Sequence, residues 1–266
     1  MGNLSEIYWI FSNESSKWRS ISANLLDFFQ RGGLLKKVDR SVLDNMELKA
    51  VIFDLDGVIT DTAEYHFIAW KQLAEELGIA IDRAFNEQLK GISRMESLER
   101  ILVHGGKADA YTPEEKEEMA QRKNEHYVSL LERLKPEDTY PGIRELLLEL
   151  QREGIPAVIA SASKNAPQIL RALELTELFS YVVPPDSVKR GKPAPDLFLR
   201  GAEEIGVGPE ACIGVEDAQA GIEAIKAAGM IAVGIGEEAA LTASGADVVL
   251  PDTTGLTLRF LRELRA

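Results

Sequence analysis

The chain of 266 residues carries 43 acidic and 30 basic side chains, a formal net charge of −13 at pH 7. This negative charge disfavours nucleic acids and anionic membranes as partners. The single cysteine, Cys212, excludes an intrachain disulfide and favours a reducing compartment. No apolar run approaches the ~20 residues of a membrane span, and charged residues interrupt any N-terminal signal. We therefore expect a cytoplasmic protein, and we expect it to be a monomer.

Residues 1–45 differ from the rest of the chain in charge. They carry six basic and five acidic side chains, against 24 and 38 in the remaining 221 residues. Met46 stands shortly before an apolar run at 50–53. We interpret Met46 as the natural start and residues 1–45 as an upstream extension. The alternative is an added helix or partner-binding arm, with the apolar pairs at 25–26 and 28–29 on one face.

Beyond residue 45, short apolar runs alternate with helical patterns. A first strand at 51–53 is followed by a predicted helix over 64–77, where apolar residues repeat with helical spacing. Thr112, Pro113 and Glu115 form a helix start, and that helix can extend to about residue 134. The alternation then resumes. It predicts helices at 143–153, 166–173, 196–205 and 218–228, and strands at 157–160, 181–183, 211–215 and 231–235.

This order indicates an α/β fold, a doubly wound parallel sheet with helices on both faces. The helical block is inserted directly after the first strand, which suggests an all-helical cap over the sheet. We expect the core to comprise residues 46–62 and 139–266 and the cap to comprise residues 63–138.

Polar side chains follow several predicted strands, where doubly wound sheets bind their ligands. They are Asp54, Asp56, Ser161, Lys192, Glu216 and Asp217. Four carboxylates at one edge repel each other unless a cation intervenes, and Mg²⁺ binds such oxygen ligands together with a substrate phosphate. Lys192 can neutralise further charge, and Ser161 with nearby N–H groups can hold phosphoryl oxygens.

Each of these features alone has an ordinary structural explanation. An Asp-x-Asp pair is usually a turn, Ser161 could cap a helix, and Lys192 could lie on the surface. Glu216 and Asp217 could be an acidic turn favoured by a helix dipole. Their joint placement at strand ends, in one chain order, favours a functional site that handles phosphate.

These motifs resemble those of the haloacid dehalogenase superfamily. The run 51–58 is similar to its first motif, and Ser161, Lys192 and the run 214–217 are similar to the other three. The resemblance implies that Asp54 is the nucleophile and becomes phosphorylated. It also implies that Asp56 is the general acid/base and offers a backbone carbonyl to Mg²⁺, whose site Glu216 and Asp217 complete.

The cap segments resemble the β-phosphoglucomutase family of that superfamily, and the similarity extends over nearly all of residues 46–266. That family interconverts β-glucose 1-phosphate and glucose 6-phosphate through a bisphosphate. The resemblance assigns catalytic roles to Asp54, Asp56, Thr62, His66 and Lys192. It assigns substrate binding to Asp56, Lys90, Gly91, Ile92, Arg94, Ser97, Trp70, Lys123, Ser161, Ala162, Ser163, Lys164 and Asn165. It assigns Mg²⁺ binding to Asp54, Asp56, Glu216 and Asp217.

A mutase must also hold a second phosphate away from the reacting one. Arg94 suits this because a guanidinium binds phosphate through two N–H groups, but it could instead pair with Glu96 or Glu99. His66 could couple cap closure to Asp56, or it could be a packed histidine. Two alternative functions remain: a sugar-phosphate phosphatase, in which water replaces the second sugar hydroxyl, and a non-catalytic sugar-phosphate-binding regulator.

Overall fold

The computed structural model describes residues 47–265, and the expectations for residues 1–45 lie outside this range. A parallel sheet runs through the described part, with strand order β3-β2-β1-β4-β5-β6. Its strands are β1 Ala50–Phe53, β2 Ala157–Ile159, β3 Tyr181–Val182, β4 Cys212–Glu216, β5 Ile231–Ile235 and β6 Val248–Leu250. None of the helices within residues 47–265 is long and apolar enough to cross a membrane.

Ten α-helices accompany the sheet within the described range. They are α1 Ala63–Glu76, α2 Arg83–Asn86, α3 Arg94–His104, α4 Pro113–Leu131, α5 Ile143–Arg152, α6 Ala166–Ala172, α7 Asp196–Glu204, α8 Gln219–Ala227, α9 Glu238–Ala243 and α10 Leu258–Arg265. The inserted block α1–α4 follows β1 directly, so the predicted fold class is confirmed.

The sheet is buried on both faces, which explains why its strands are almost wholly apolar. Along β1, Val51 and Phe53 pack into one hydrophobic cluster, and Ala50 and Ile52 pack into another on the opposite face. This follows from the alternation of side chains along a strand. Pairing of β1 with β2 on one side and β4 on the other brings the carboxyl ends of three strands together.

The cap has a hydrophobic cluster of its own. Trp70 and Leu73 of α1, Leu98 of α3 and Met119 of α4 contribute to it. The capping box expected at the start of α4 is present: the Thr112 hydroxyl accepts the Glu115 N–H, and the Glu115 carboxylate accepts the Thr112 N–H. The helix ends at Leu131, a few residues before the expected limit, and Pro136–Asp138 forms a 3₁₀ turn.

The two connections between cap and core lie side by side. The Tyr140 N–H donates to the Ile59 carbonyl at 2.9 Å, and the Thr60 hydroxyl donates to the Asp138 carbonyl at 2.7 Å. The structure also contains elements that the sequence patterns did not predict, namely α2, α9, β6 and α10. The last strand of the sheet is one of these, so the sheet is one strand wider than expected.

Candidate active site

A buried cluster of charges lies at the carboxyl edge of the sheet. Asp54 follows β1 directly, Glu216 ends β4, and Lys192 comes from the loop before α7. Lys192 Nζ donates to Asp54 Oδ1, and to Glu216 Oε2 at 2.7 Å. All three side chains are almost fully buried. Burial disfavours the charged lysine, but the two carboxylates overcome this and raise the pKa of Lys192.

Three carboxylates at this edge lie close enough to share one cation. Ligand oxygens of Asp54, Glu216 and Asp217 all lie within 4.8 Å of one another. Burial, joined by repulsion from nearby carboxylates, raises the pKa of Asp217 to about 7 and that of Glu216 well above its ordinary value. A hard cation with oxygen ligands relieves such repulsion, so this donor set fits a divalent metal ion. The Asp56 side chain is not part of this cluster, and the metal contact expected of it is through its backbone carbonyl.

Two glycines make room for these carboxylates. A Cβ at Gly57, whose φ is +83°, would lie 2.3 Å from Asp217 Oδ2. A Cβ at Gly221 in α8 would lie 1.8 Å from Glu216 Oε2. Any larger residue at either position would therefore displace a carboxylate of the cluster.

Asp56 lies beside this cluster in a different environment. The Thr62 hydroxyl donates to Asp56 Oδ1, and His66 Nε2 lies 3.8 Å from the same oxygen. Burial and the negative charge of Asp54 raise the pKa of Asp56 to about 6. A carboxyl with a pKa near neutrality can both accept and return a proton, which suits general acid/base catalysis.

A short relay connects Asp56 to the cap. Lys123 Nζ of α4 lies 2.6 Å from His66 Nδ1 of α1. When Lys123 carries its proton, its ammonium group can only donate, so Nδ1 accepts and the ring proton lies on Nε2 towards Asp56. The His66 ring also stacks on Tyr127, with centroids 3.9 Å apart. His66 is thus both a packed histidine and a polar link, so the two interpretations of the sequence are compatible.

Lys123 is buried among aromatic rings. Its Nζ lies 4.6 Å from the Trp70 ring centroid and 4.8 Å from that of Tyr127. Burial, with the nearby charge of Arg94, lowers the pKa of Lys123 to about 7. The same burial, together with Lys123 and Arg94, holds the pKa of His66 well below its ordinary value. His66 is therefore neutral at physiological pH.

A second group of donors lies farther from Asp54. Arg94 Nη2 donates to Asn124 Oδ1 at 2.7 Å, and Asn165 Nδ2 donates to the same oxygen at 2.9 Å. The ion pairs considered for Arg94 do not form in the structure. Glu96 pairs with Arg100 at 2.7 Å, and Glu99 pairs with Lys116 at 2.8 Å.

The turn after β2 contributes further polar groups. Ser161 Oγ accepts the Ser163 N–H at 3.1 Å, and Lys164 Nζ pairs with Asp186 at 2.7 Å. Asn165 occupies the N-cap position of α6, but its side chain makes no capping hydrogen bond there. Its amide instead donates to Asn124.

One cavity of about 380 Å³ joins the two groups. Among its lining residues are the predicted Asp54, Asp56, His66, Trp70, Lys90, Gly91, Ile92, Arg94, Ser97, Ser161, Ala162, Ser163, Lys164, Asn165 and Asp217. The other predicted residues, Thr62, Lys123, Lys192 and Glu216, do not line the cavity and are buried behind its wall. Gly91 brings the cap against the core, since a Cβ there would lie 3.2 Å from Ala218 Cβ.

Sequence reasoning missed several residues of this region. Asn86, Asp186 and Lys189 line the cavity, and Asn124 and Tyr127 contact its predicted residues. Tyr127 lies four residues after Lys123 in α4, a spacing that places both on one helix face and could have indicated it. Asp186 and Lys189 lie in a loop without a recognisable motif.

Comparison with known proteins places the chain in a family. A family model described as haloacid dehalogenase-like hydrolase matches residues 48–229. The chain belongs to the haloacid dehalogenase-like family. The predicted resemblance is thereby confirmed.

Within this family the chain is similar to sugar-phosphate enzymes. It is 53% identical to a β-phosphoglucomutase of Bacillus subtilis over 216 residues, covering 81% of this chain and 95% of that protein. A crystal structure of β-phosphoglucomutase from Clostridium difficile has a TM-score of 0.80 and 45% identity, covering 82% of this chain and 97% of that one. A phosphorylated-carbohydrate phosphatase of Thermotoga maritima is 31% identical over 185 residues, covering 69% of this chain and 82% of that protein.

Proposed function

We propose that this protein is a β-phosphoglucomutase. It interconverts β-D-glucose 1-phosphate and β-D-glucose 6-phosphate through β-glucose 1,6-bisphosphate and a phosphoaspartate on Asp54. The observation that carries this proposal is one cavity with two groups suited to phosphate in and behind its wall. The buried carboxylates with Lys192 form one group, and Arg94 with Asn165 forms the other. A bisphosphate needs both groups at once.

Asp54 is the nucleophile. Its carboxylate is buried at the sheet edge and accepts a hydrogen bond from Lys192, which holds it in one orientation. Attack on a phosphorus atom forms the acyl phosphate, which splits one difficult transfer into two easier ones. Loss of Lys192 would leave Asp54 and Glu216 buried without their shared counter-charge.

Asp56 is the general acid/base that transfers the proton of the sugar hydroxyl. As the sugar hydroxyl attacks the phosphoaspartate, Asp56 accepts the hydroxyl proton, and in the reverse transfer it returns that proton to the leaving oxygen. Thr62 and His66 hold the carboxylate near this position from two sides. Because His66 and Lys123 belong to the cap, they tie Asp56 to the cap as well as to the core.

The carboxylates of Asp54, Glu216 and Asp217 and the backbone carbonyl of Asp56 would hold Mg²⁺. When bound, the ion screens the negative charge of the transferring phosphoryl group against these carboxylates. The closeness of the three carboxylates and the raised pKa values of Glu216 and Asp217 support this assignment.

A mutase must also protect the phosphoaspartate from water. In this structure the cap reaches the core close to Asp54: Lys90 Nζ lies 3.6 Å from Asp217, and Gly91 lies against α8. Such contacts exclude water from the reacting groups and favour transfer to a sugar hydroxyl over hydrolysis.

The test is an assay of the purified protein with β-glucose 1-phosphate, Mg²⁺ and a trace of β-glucose 1,6-bisphosphate. We expect glucose 6-phosphate to form, with the bisphosphate priming turnover and little inorganic phosphate released. The 31% identity to a carbohydrate phosphatase makes phosphatase activity the second candidate. Accumulation of inorganic phosphate in proportion to substrate loss, without glucose 6-phosphate as an intermediate pool, would favour that candidate.

A further inference from the structure

Asn124 joins three segments of the site through a single oxygen atom. Arg94 begins α3 in the cap, Asn124 lies in α4 of the cap, and Asn165 precedes α6 in the core. Asn124 Oδ1 accepts one N–H from Arg94 at 2.7 Å and one from Asn165 at 2.9 Å. The shared carbonyl therefore bridges the cap to the core beside the cavity, which Arg94 and Asn165 both line.

The orientation of these groups follows from their chemistry. A guanidinium has only donors, so the Asn124 atom that faces Arg94 must be the oxygen. The Asn165 atom that contacts this oxygen must then be its nitrogen. A carbonyl oxygen has two lone pairs, and the two donors use both. Four of the five N–H groups of Arg94 can still donate to another acceptor, and so can one N–H of the Asn165 amide.

The charge of Arg94 has no direct partner in the described part of the chain. None of the ion pairs within residues 47–265 involves Arg94, although this side chain is half-buried and lines the cavity. Asp186 attracts Arg94 only without contact and pairs with Lys164, and a half-buried cation without a direct ion-pair partner is costly unless an anion arrives. A neutral amide is the acceptor that holds such a cation in place without cancelling its charge.

We propose that Asn124 is a positioning residue for the remote phosphate. It does not line the cavity, and it acts by holding Arg94 and Asn165 so that their remaining N–H groups converge on the same anion. Its neutrality is essential, because a carboxylate at this position would hold Arg94 equally well but would repel the phosphate. This inference rests on the proposed mutase function for the identity of the anion.

The experiment compares Asn124→Ala and Asn124→Asp with the wild type and with a control, Gln121→Ala. Gln121 lies on the exposed face of the same helix, where its amide contacts Glu125. Phosphorylation of Asp54 by acetyl phosphate requires no remote phosphate. We expect its rate to stay within about twofold of wild type in all variants. We expect mutase kcat/KM to fall about tenfold to a hundredfold in both Asn124 variants and to be unchanged in the control.

Binding of inorganic phosphate provides a readout that does not depend on mutase activity. Phosphate is added to the Asp54→Asn protein, and the NMR signal of the Arg94 Nε–H group is followed. This signal is assigned by its loss in Arg94→Ala. We expect it to shift as phosphate binds. In that background, Asn124→Ala and Asn124→Asp should each need at least about tenfold more phosphate for the same shift. Asn124→Asp keeps the size and acceptor capacity of the side chain, so it tests the charge even if Asn124→Ala folds poorly.

Several results would overturn the inference. Phosphate titration of Arg94 that is unchanged in both variants would exclude a positioning role. Equal losses in acetyl phosphate turnover and mutase flux would indicate a general structural role for Asn124. Tighter phosphate binding in Asn124→Asp would refute the argument from neutrality. Failure of the wild type to isomerise β-glucose 1-phosphate would instead refute the proposed function, and the NMR titration would still decide the role of Asn124.

Discussion

The core and the cap hold their functional side chains in different ways. In the core, Asp54 and Glu216 are buried at the ends of neighbouring strands, and the buried Lys192, from the loop before α7, donates to both. In the cap, Lys90 and Arg94 are only partly buried and lie on a loop and a helix terminus. The core therefore presents a rigid charge cluster, whereas the cap brings donors to it across a cavity.

This difference suggests how the two regions divide the work. A phosphoryl group needs a nucleophile and counter-charges in fixed places, and strand pairing supplies that rigidity. A bisphosphate that must reorient between two transfers needs an opposing wall that binds and releases it, and the cap supplies that wall. The cap has a hydrophobic cluster of its own, while Ala69, Tyr127 and Leu131 pack into the cluster of the core.

The largest effect is expected in the core, from Asp54→Asn. The amide is close in size to the carboxylate and still accepts a hydrogen bond from Lys192, but it cannot form an acyl phosphate. We expect no mutase turnover, with an unchanged circular dichroism spectrum. Asp109→Asn, on an exposed part of the cap, should retain full activity. Mutase activity of Asp54→Asn above background, in protein free of wild type, would refute the nucleophile assignment.

The matching change in the cap is Arg94→Ala, which should lower mutase activity strongly without abolishing it. Loss of a charge-assisted bidentate contact should cost roughly 2–4 kcal/mol, about 30- to 1,000-fold in kcat/KM. Phosphorylation of Asp54 by acetyl phosphate should persist, and hydrolysis of the phosphoenzyme should rise relative to mutase flux. Labelled acetyl phosphate and β-glucose 1-phosphate in one experiment report both fluxes.

Arg100→Ala is the control for this comparison. Arg100 lies on the same helix and contacts Glu96 and the Gln88 carbonyl outside the cavity, so its loss should leave both fluxes intact. Equal declines in mutase flux and phosphoenzyme formation in Arg94→Ala would show that Arg94 supports the core instead. That result would remove the distinction between the two regions.

A smaller effect is expected on stability, from Lys123→Met. Burial lowers the pKa of Lys123 to about 7 in the folded state, while the unfolded chain retains the ordinary, higher value. The unfolded state therefore binds more protons between these values, and the wild type gains stability as pH rises through this range. Lys123 thus destabilises the fold most below about pH 7.

Lys123→Met should then raise the free energy of unfolding by about 4 kcal/mol at pH 6, and most of this gain should disappear by about pH 10. Urea unfolding across that range measures it, and Lys71→Met gives the baseline for removing an exposed lysine. Mutase activity should fall, because His66 loses its hydrogen-bond donor. A stability gain that does not vary with pH would contradict the proposed origin in buried charge.

The smallest effect should come from removing residues 1–45. The proposed site and the two groups that it joins lie within residues 47–265, and the family match begins at residue 48. We expect kcat and solubility to be unchanged in the shortened protein. Loss of folding, or a loss of about tenfold or more in kcat/KM, would show that this segment supports the core or the cap.

Much of the core was predictable from the sequence because strand geometry is local and regular. Apolar runs predicted five of the six strands, and the carboxyl ends of parallel strands must share one edge. This alone predicted that Asp54 and Glu216 would lie together. The strand β6 was missed, and its residues are only partly buried at the edge of the sheet, where the apolar signal is weaker.

The sequence by itself determined that Asp54 and Glu216 lie together at strand ends, since the carboxyl ends of parallel strands share one edge of the sheet. Only the tertiary structure decided how the cap residues are paired. Asn124 joins Arg94, 30 residues before it, to Asn165, 41 residues after it, and Lys123 meets His66 across 57 residues. These pairings depend on how helices pack against each other and against the core, and helical spacing predicts the face of a helix but not the neighbour that the face meets.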